Sequence, residues 1–296
     1  MERNREHWYE RTEVKKITAD WVKLNCKLTE REQELLQLVY DRKLVRRDHL
    51  ETISPSYRKL GVSKTRLLNR AIKKLYKNMV LDKAHEKQDI GKGNNPCIVA
   101  IDRAGSLMLG VTHKRRIIHK ASKHKGKEYI SRYLPSNVQH INGVNQIEVE
   151  TIIFCEENEY EILEWQLEQS RVFNYNDEKI ILIPDVLMIL DIKGKRLAVF
   201  IEYDTGSEGL REKKPKIVKE KLIKYKRYRS SNLWENEEWQ KHFEAKVFPL
   251  LLFVTSDYKR VEYWNKTSKE LGVKSVAMYI DKYVDVLSKL VEVVGR

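Results

Sequence analysis

The sequence predicts an α+β protein in two parts, a basic and mainly helical N-terminal part and a C-terminal α/β sandwich around a mixed sheet. Three observations carry this. Apolar residues recur at helical spacing through residues 29–78. Two apolar, β-branched runs flank Lys193-Gly194. The positive charge is confined to the first part. The 296 residues are 41% hydrophobic, enough for a real core, and carry a net charge of +14 with a pI near 9.4. Residues 1–136 hold 32 Lys/Arg against 16 Asp/Glu, whereas residues 137–296 hold 25 against 27. An excess confined to one part points to a polyanion-binding module joined to something with a different job. Nucleic acid is the expected polyanion, because no strongly amphipathic basic helix carries Trp/Phe on its other side as a membrane-surface helix would.

Residues 1–112 read as the first domain. Thr29-Glu-Arg-Glu32 is a capping box opening a helix with Leu35, Leu36, Leu38 and Val39 at roughly helical spacing. A second short helix is expected from Arg47 through Leu50. Gly61-Val-Ser63 reads as a turn with Ser63 as N-cap. From Lys64 to Asn78 the pattern buries Leu67, Leu68, Ala71, Ile72 and Leu75 and turns Lys64, Arg66, Asn69, Arg70 and Lys73 outward. Such a face suits the major groove, with Arg and Asn on base edges and Lys on phosphates; it would equally suit a solvated surface. Val80–Glu86 and Cys97–Ile101 read as strands around a loop at Gly91–Asn95. Helix, helix, helix, hairpin is the order of a winged helix-turn-helix domain. Residues 113–136 then read as a basic, poorly periodic linker whose Lys114, Arg115 and Arg116 could track phosphates. His119 and His124 have no acid or cysteine at metal-ligand spacing.

Residues 137–296 read as αβββαβ. Asn137–Cys155 is a helix, and Tyr160–Leu167 and the two runs about Lys193-Gly194 are strands. Lys216–Arg229 is a basic helix packing through Ile217, Leu222 and Tyr225 or Tyr228. Phe248–Thr255 is a buried strand, Tyr258–Leu271 a helix, Lys274–Ile280 a strand and Lys282–Val294 a closing helix. The apolar face of the last suits either dimerisation or closure of the core. A two-residue turn at Lys193-Gly194 puts Ile192 opposite Lys195 and therefore Asp185 opposite Glu202. Opposed side chains lie about 4.5–5.5 Å apart at Cβ, and two carboxylates that close repel unless a cation or a proton relieves them. Oxygen ligands of this kind suit Mg²⁺ or Mn²⁺. The alternative is two frayed strand ends facing solvent. Glu148 could project from the first helix toward the same metal or sit in solvent. Trp165 reads as core. The basic run Arg211–Arg229 suits a phosphate backbone, or ion pairing with Glu235, Glu237 and Glu238.

This order, with Pro184-Asp185 on one strand and Glu202 on the next, resembles the PD-(D/E)xK nuclease superfamily. The resemblance implies that Asp185 and Glu202 hold a divalent metal that polarises a phosphate and helps form hydroxide. It also implies a lysine two residues beyond the glutamate, where this chain has Asp204. Lys219, Lys221 or Lys224 on the next helix could supply the missing ammonium. Otherwise Asp204 adds a third carboxylate and the site is a metal-binding or inactive remnant. More of the chain resembles one narrower family. Thr29–Glu32, His140–Asn145, Trp165 with Glu168, Ile183-Pro-Asp185, Phe200–Gly206 and Lys221–Tyr225 occur in the order seen in replication-relaxation proteins of bacterial plasmids, conjugative elements and phages. That resemblance implies a double-stranded DNA partner and a role in replication or transfer of a mobile element. Two functions fit it, a metal-dependent endonuclease or nickase and a non-catalytic DNA-binding regulator whose nuclease-like half serves dimerisation or docking.

The three cysteines, Cys26, Cys97 and Cys155, are scattered and odd in number, which argues against a disulfide framework or a zinc cluster. The N-terminus lacks the apolar core of a secretory signal, and no apolar run reaches the length of a membrane span. A cytoplasmic protein is expected.

Overall fold

A computed structural model describes residues 14, 16–86, 95–124, 127–206 and 214–295. The chain divides at Val149/Glu150 into two compact units.

The first unit opens with α1 (Ala19–Asn25) and α2 (Glu30–Arg42), followed by the two-residue strand β1 (Val45–Arg46). The capping box forms as expected. Thr29 Oγ1 accepts from the Glu32 N–H at 3.3 Å, and the Glu32 carboxylate accepts from the Thr29 N–H at 2.9 Å. Next come α3 (Arg47–Ile53), α4 (Pro55–Arg58) and α5 (Lys64–Lys77), with Gly61–Ser63 as a 3₁₀ turn before α5. Ser63 does precede α5, but its backbone is already helical and its side chain makes no capping bond. Leu35, Leu36, Val39, Leu50, Tyr57, Leu68, Ile72 and Leu75 are buried, so the helices meet through the expected apolar stripes. Leu67 is only half-buried.

Strands β2 (Leu81–Ala84) and β3 (Ile98–Ile101) pair antiparallel, and β1 adds to the other side of β3, giving the order β1-β3-β2. Most of the expected loop, Gly91–Asn94, lies outside the described residues. α6 (Arg103–Met108) follows. The stretch read as a poorly periodic linker instead contains a hairpin, β4 (Ile118–His124) with β5 (Lys127–Tyr133). Its alternation is hidden because polar residues do the inward work. Asp82 on β2 is buried, and its carboxylate accepts from Arg132 Nε at 3.0 Å and meets His119 Nε2 at 2.5 Å. His119 is thus a staple between the hairpin and β2.

Helix α7 (Val138–Asn158) contains the boundary between the units. In the second unit the strands are β6 (Glu161–Leu167), β7 (Arg171–Tyr175), β8 (Glu178–Leu182), β9 (Val186–Ile192) and β10 (Lys195–Asp204). Then come α8 (Lys214–Ser230), β11 (Leu250–Thr255), α9 (Tyr258–Leu271), β12 (Ser275–Tyr279) and α10 (Tyr283–Gly295). The main sheet has the order β12-β11-β10-β9-β6. Its β6-β9-β10 portion is antiparallel and its β10-β11-β12 portion parallel, so it is mixed as expected. The β7–β8 hairpin was not foreseen. Its signal was Asn176-Asp177, both at positive φ, between two short alternating runs.

Lys193 and Gly194 also both have positive φ, and Lys195 pairs with Ile192, so the register read from the turn holds. Side chains alternate along β10. Ala198 and Phe200 join one core with Leu187, Ile189, Leu222, Tyr225 and Tyr228, while Trp264 of α9 stacks on Phe253 at 4.1 Å. Ile217, expected in that core, is 55% exposed. On the other face Tyr283 shares a 2.7 Å hydrogen bond with Thr151, and its hydroxyl lies 3.9 Å from Met188 Sδ. Tyr283, Leu287 and Val291 are buried, so α10 closes the core.

Candidate functional site

Two places gather the residues singled out above, one in each unit. In the first unit, α5 buries Leu68, Ala71, Ile72, Leu75 and Tyr76. Its other side presents Arg66, Asn69, Arg70 and Lys73, all exposed, with Lys64 half-buried. No acid occurs in α5. Its Lys74 reaches inward to the Glu32 carboxylate at 2.7 Å, but no ion pair among the described residues takes up Arg66, Arg70 or Lys73. Lys114 and Arg115 are exposed and Arg116 half-buried in the segment before β4.

In the second unit, the β9–β10 ladder runs to Ile201 opposite Val186, and the next position places Asp185 facing Glu202. Asp185 is tied to both neighbouring strands. Its Oδ2 accepts from the Tyr203 N–H at 2.7 Å, and its carbonyl accepts from the Glu168 N–H at 3.1 Å. Glu202 is wholly buried. α8 lies across this face and sends two side chains, four residues apart and therefore on one side of the helix, to the carboxylate. Tyr225, itself buried, donates its hydroxyl to Oε1 at 2.5 Å. Oε2 receives no well-directed hydrogen bond and is held by the Lys221 ammonium. Of the three lysines considered on this helix, Lys221 is the one that reaches Glu202; Lys219 and Lys224 are exposed.

Burial pushes the Glu202 carboxyl up to about 8, with the Lys221 ammonium pulling it back and the Asp185 charge adding to the rise. Burial works against the Lys221 ammonium, but the charges of Glu202 and Asp185 outweigh it and raise its pKa. Burial, followed by the Glu202 charge, drives the Tyr225 phenol far above its ordinary value. A buried phenol that donates to a carboxylate is not poised as a nucleophile.

Other expected acids are engaged elsewhere. Asp204 does not join a three-carboxylate centre with its side chain free. Its Oδ2 is taken by Arg260 of α9, and its Oδ1 accepts from the Gly206 N–H at 2.8 Å. Gly206 is at φ +67°, and a Cβ there would stand 2.9 Å from Asp257 Cβ, so the end of β10 turns tightly against the start of α9. Glu148 is buried in the first unit, where Arg42 engages both carboxylate oxygens, Nε reaching Oε2 at 2.8 Å. Among the described residues, no three His, Cys, Asp or Glu side chains gather to hold one metal ion. What remains is a pair, and Mg²⁺ is commonly held by one or two carboxylates, completing its shell with water and substrate phosphate. Asp185 and Glu202 fit that donor set if Lys221 gives up Oε2.

Two of the three acids suggested as partners of the α8 cations have other partners. Glu237 pairs with Arg171 at 3.1 Å and accepts from Tyr228, and Glu238 pairs with Lys241 at 3.1 Å. Arg227 instead finds Glu178 at 2.7 Å. Sequence reasoning missed Tyr225 as a partner of Glu202 and Arg260 as the partner of Asp204. The first had a signal in the four-residue spacing from Lys221; the second lies 56 residues from its acid and had none.

No helix among the described residues is long and apolar enough to cross a membrane. No curated protein matches the chain. One solved structure, protein VC1899 from Vibrio cholerae, aligns over 94% of this chain and 57% of its own length, with 11% identity and a TM-score of 0.31. At that score the likeness carries no argument about fold or activity. The family model described as replication-relaxation matches residues 36–240, from within α2 to beyond α8. That span is well over half of the 296 residues, and the chain belongs to the replication-relaxation family.

Proposed function

We propose that the protein binds double-stranded DNA during replication, relaxation or transfer of a mobile genetic element, using α5 as the recognition helix of a winged helix-turn-helix domain. The observation that carries this reading is the exposed, acid-free face of Arg66, Asn69, Arg70 and Lys73 on a helix whose other face is buried. The element order α2, β1, α3–α4, α5, β2, β3 and the β1-β3-β2 sheet support it. Arg and Asn are the residues that read guanine and adenine edges in the major groove. Fluorescence anisotropy with duplex DNA tests it. Arg66→Ala or Arg70→Ala should weaken binding by about 1–3 kcal/mol for a base contact. Wild-type affinity should fall steeply with salt. A flat salt response would remove the reading.

The second unit is read as PD-(D/E)xK-like, with Asp185 and Glu202 as the residues that would hold Mg²⁺ or Mn²⁺. A metal there would polarise a phosphate and lower the pKa of a bound water. Tyr225 fixes the orientation of the Glu202 carboxylate, and Lys221 brings an ammonium to the same point from α8. The backbone N–H of Tyr203 fixes Asp185. The competing reading is a non-catalytic regulator whose nuclease-like unit serves dimerisation or docking. It is favoured by the Lys221 ammonium on Glu202 and by the loss of Asp204 to Arg260. Supercoiled plasmid incubated with Mg²⁺ or Mn²⁺ separates the two. Nicking by wild type that disappears in Asp185→Ala supports the endonuclease; no nicking with either metal supports the regulator.

A further inference from the structure

We propose that Val62, in the turn leading into α5, reads the 5-methyl group of a thymine. The inference rests on the DNA-binding reading of α5 and adds a specificity-determining residue to it. Val62 is 104% exposed, more than any other large hydrophobic side chain among the described residues. It sits in the 3₁₀ turn Gly61–Ser63, which buries none of its residues. The preceding Gly61 has a φ of +56° and no heavy atom within 4 Å of where a Cβ would stand, so the space beside it is open. A β-branched apolar residue there contributes nothing to packing.

What surrounds it decides what it meets. Arg66, Asn69 and Lys73 are spaced by three and four residues and form one stripe of α5, and Val62 lies in the turn immediately before the N-terminal end of that helix. A cationic stripe with no acid selects a polyanion, not an apolar protein surface. The N-terminal residues of a recognition helix approach the base edges, and the thymine methyl is the apolar group that the major groove offers. The isopropyl group of Val62 and the cations behind it therefore fit one occupant, duplex DNA with a thymine under the start of α5.

The test removes that methyl from either partner. Full-length protein selects its preferred duplex from a randomised library, and each thymine in the winner is replaced in turn by deoxyuridine. Affinities are measured by anisotropy for wild type, Val62→Ala, Val62→Ser and Arg66→Ala, with circular dichroism to check folding. At one thymine, deoxyuridine should weaken wild type by about three- to fivefold, the scale of one buried methyl. Val62→Ala and Val62→Ser should bind the thymine duplex more weakly by a similar factor and lose the difference between the two bases. Arg66→Ala should weaken both duplexes and keep the difference. The proposal is overturned if every thymine tolerates the change, if the Val62 variants keep the discrimination, or if salt-sensitive binding shows no sequence preference. In the last case the DNA-binding reading stands. Absence of any DNA binding overturns both.

Discussion

Helices α5 and α8 are both rich in cations, yet the fold uses the charge in opposite ways. α5 carries six Lys/Arg and no acid, with its apolar residues gathered on one buried side. α8 carries eight Lys/Arg and one acid, and its buried Leu222, Tyr225 and Tyr228 sit among lysines. Arg66, Arg70 and Lys73 of α5 face outward with no carboxylate partner among the described residues. Several α8 cations are committed, Lys221 to Glu202, Arg227 to Glu178 and Lys226 to the Leu271 carbonyl. Charge that a helix segregates is available to a partner molecule, and charge that it interleaves with core residues becomes part of the fold. Mutations in the two helices should therefore separate stability from binding.

The largest stability effect is expected at Lys221. Lys221→Met leaves the buried Glu202 with Tyr225 alone. Breaking a buried pair costs about 3–5 kcal/mol. Here roughly 2–3 kcal/mol is expected, because a third of the Lys221 side chain is exposed and Glu202 can take up a proton. Urea denaturation measures it, and a loss below about 0.5 kcal/mol would place Lys221 with the solvated cations of α5. Tyr225→Phe should follow at about 1–2 kcal/mol, the cost of leaving a buried carboxylate oxygen without its donor.

The two units should also respond to pH with opposite sign. Burial raises the Glu202 carboxyl from 4.5 to about 8. Between those values the unfolded chain has released the proton while the folded chain retains it, so stability falls as pH rises through the interval. Glu202→Gln should gain on wild type over that range. In the first unit burial holds the His49 imidazole down at about 4, against 6.5 unfolded. Here the unfolded chain binds the proton first, and stability falls as pH drops from about 6.5 toward 4. His49→Phe should be less acid-sensitive than wild type. Denaturation midpoints for the three proteins at pH 4.5, 6.5 and 8 check both slopes, and slopes of the same sign would undo the contrast.

Much of this was legible in the chain because the signals were local. The Thr29–Glu32 box needs four residues, and the Lys193-Gly194 turn needs two to fix a register that carries Asp185 to Glu202. The β4–β5 hairpin was not legible, because its inward residues include His119 and Arg132 and their acid, Asp82, lies on another strand. Lys221 could be named only as one of three, since the rotation of α8 about its axis depends on how Leu222 and Tyr225 seat on the sheet. The fate of Asp204 was out of reach for a similar reason. A carboxylate two residues from Glu202 reads as a metal ligand until Arg260, on a helix three elements later, closes on it.

The smallest expected effect completes the contrast. Arg66, Arg70 and Lys73 make no ion pair among the described residues and their side chains are exposed, so replacing any of them with Ala removes no buried contact. Alanine also has the highest helix propensity, which offsets part of whatever the long side chain contributed. Each variant should unfold within about 0.5 kcal/mol of wild type, although the same changes at Arg66 and Arg70 are expected to weaken DNA binding by more than that. A stability loss near that of Lys221→Met would mean that the α5 face is packed against protein, and a helix packed in that way could not also lie in a groove.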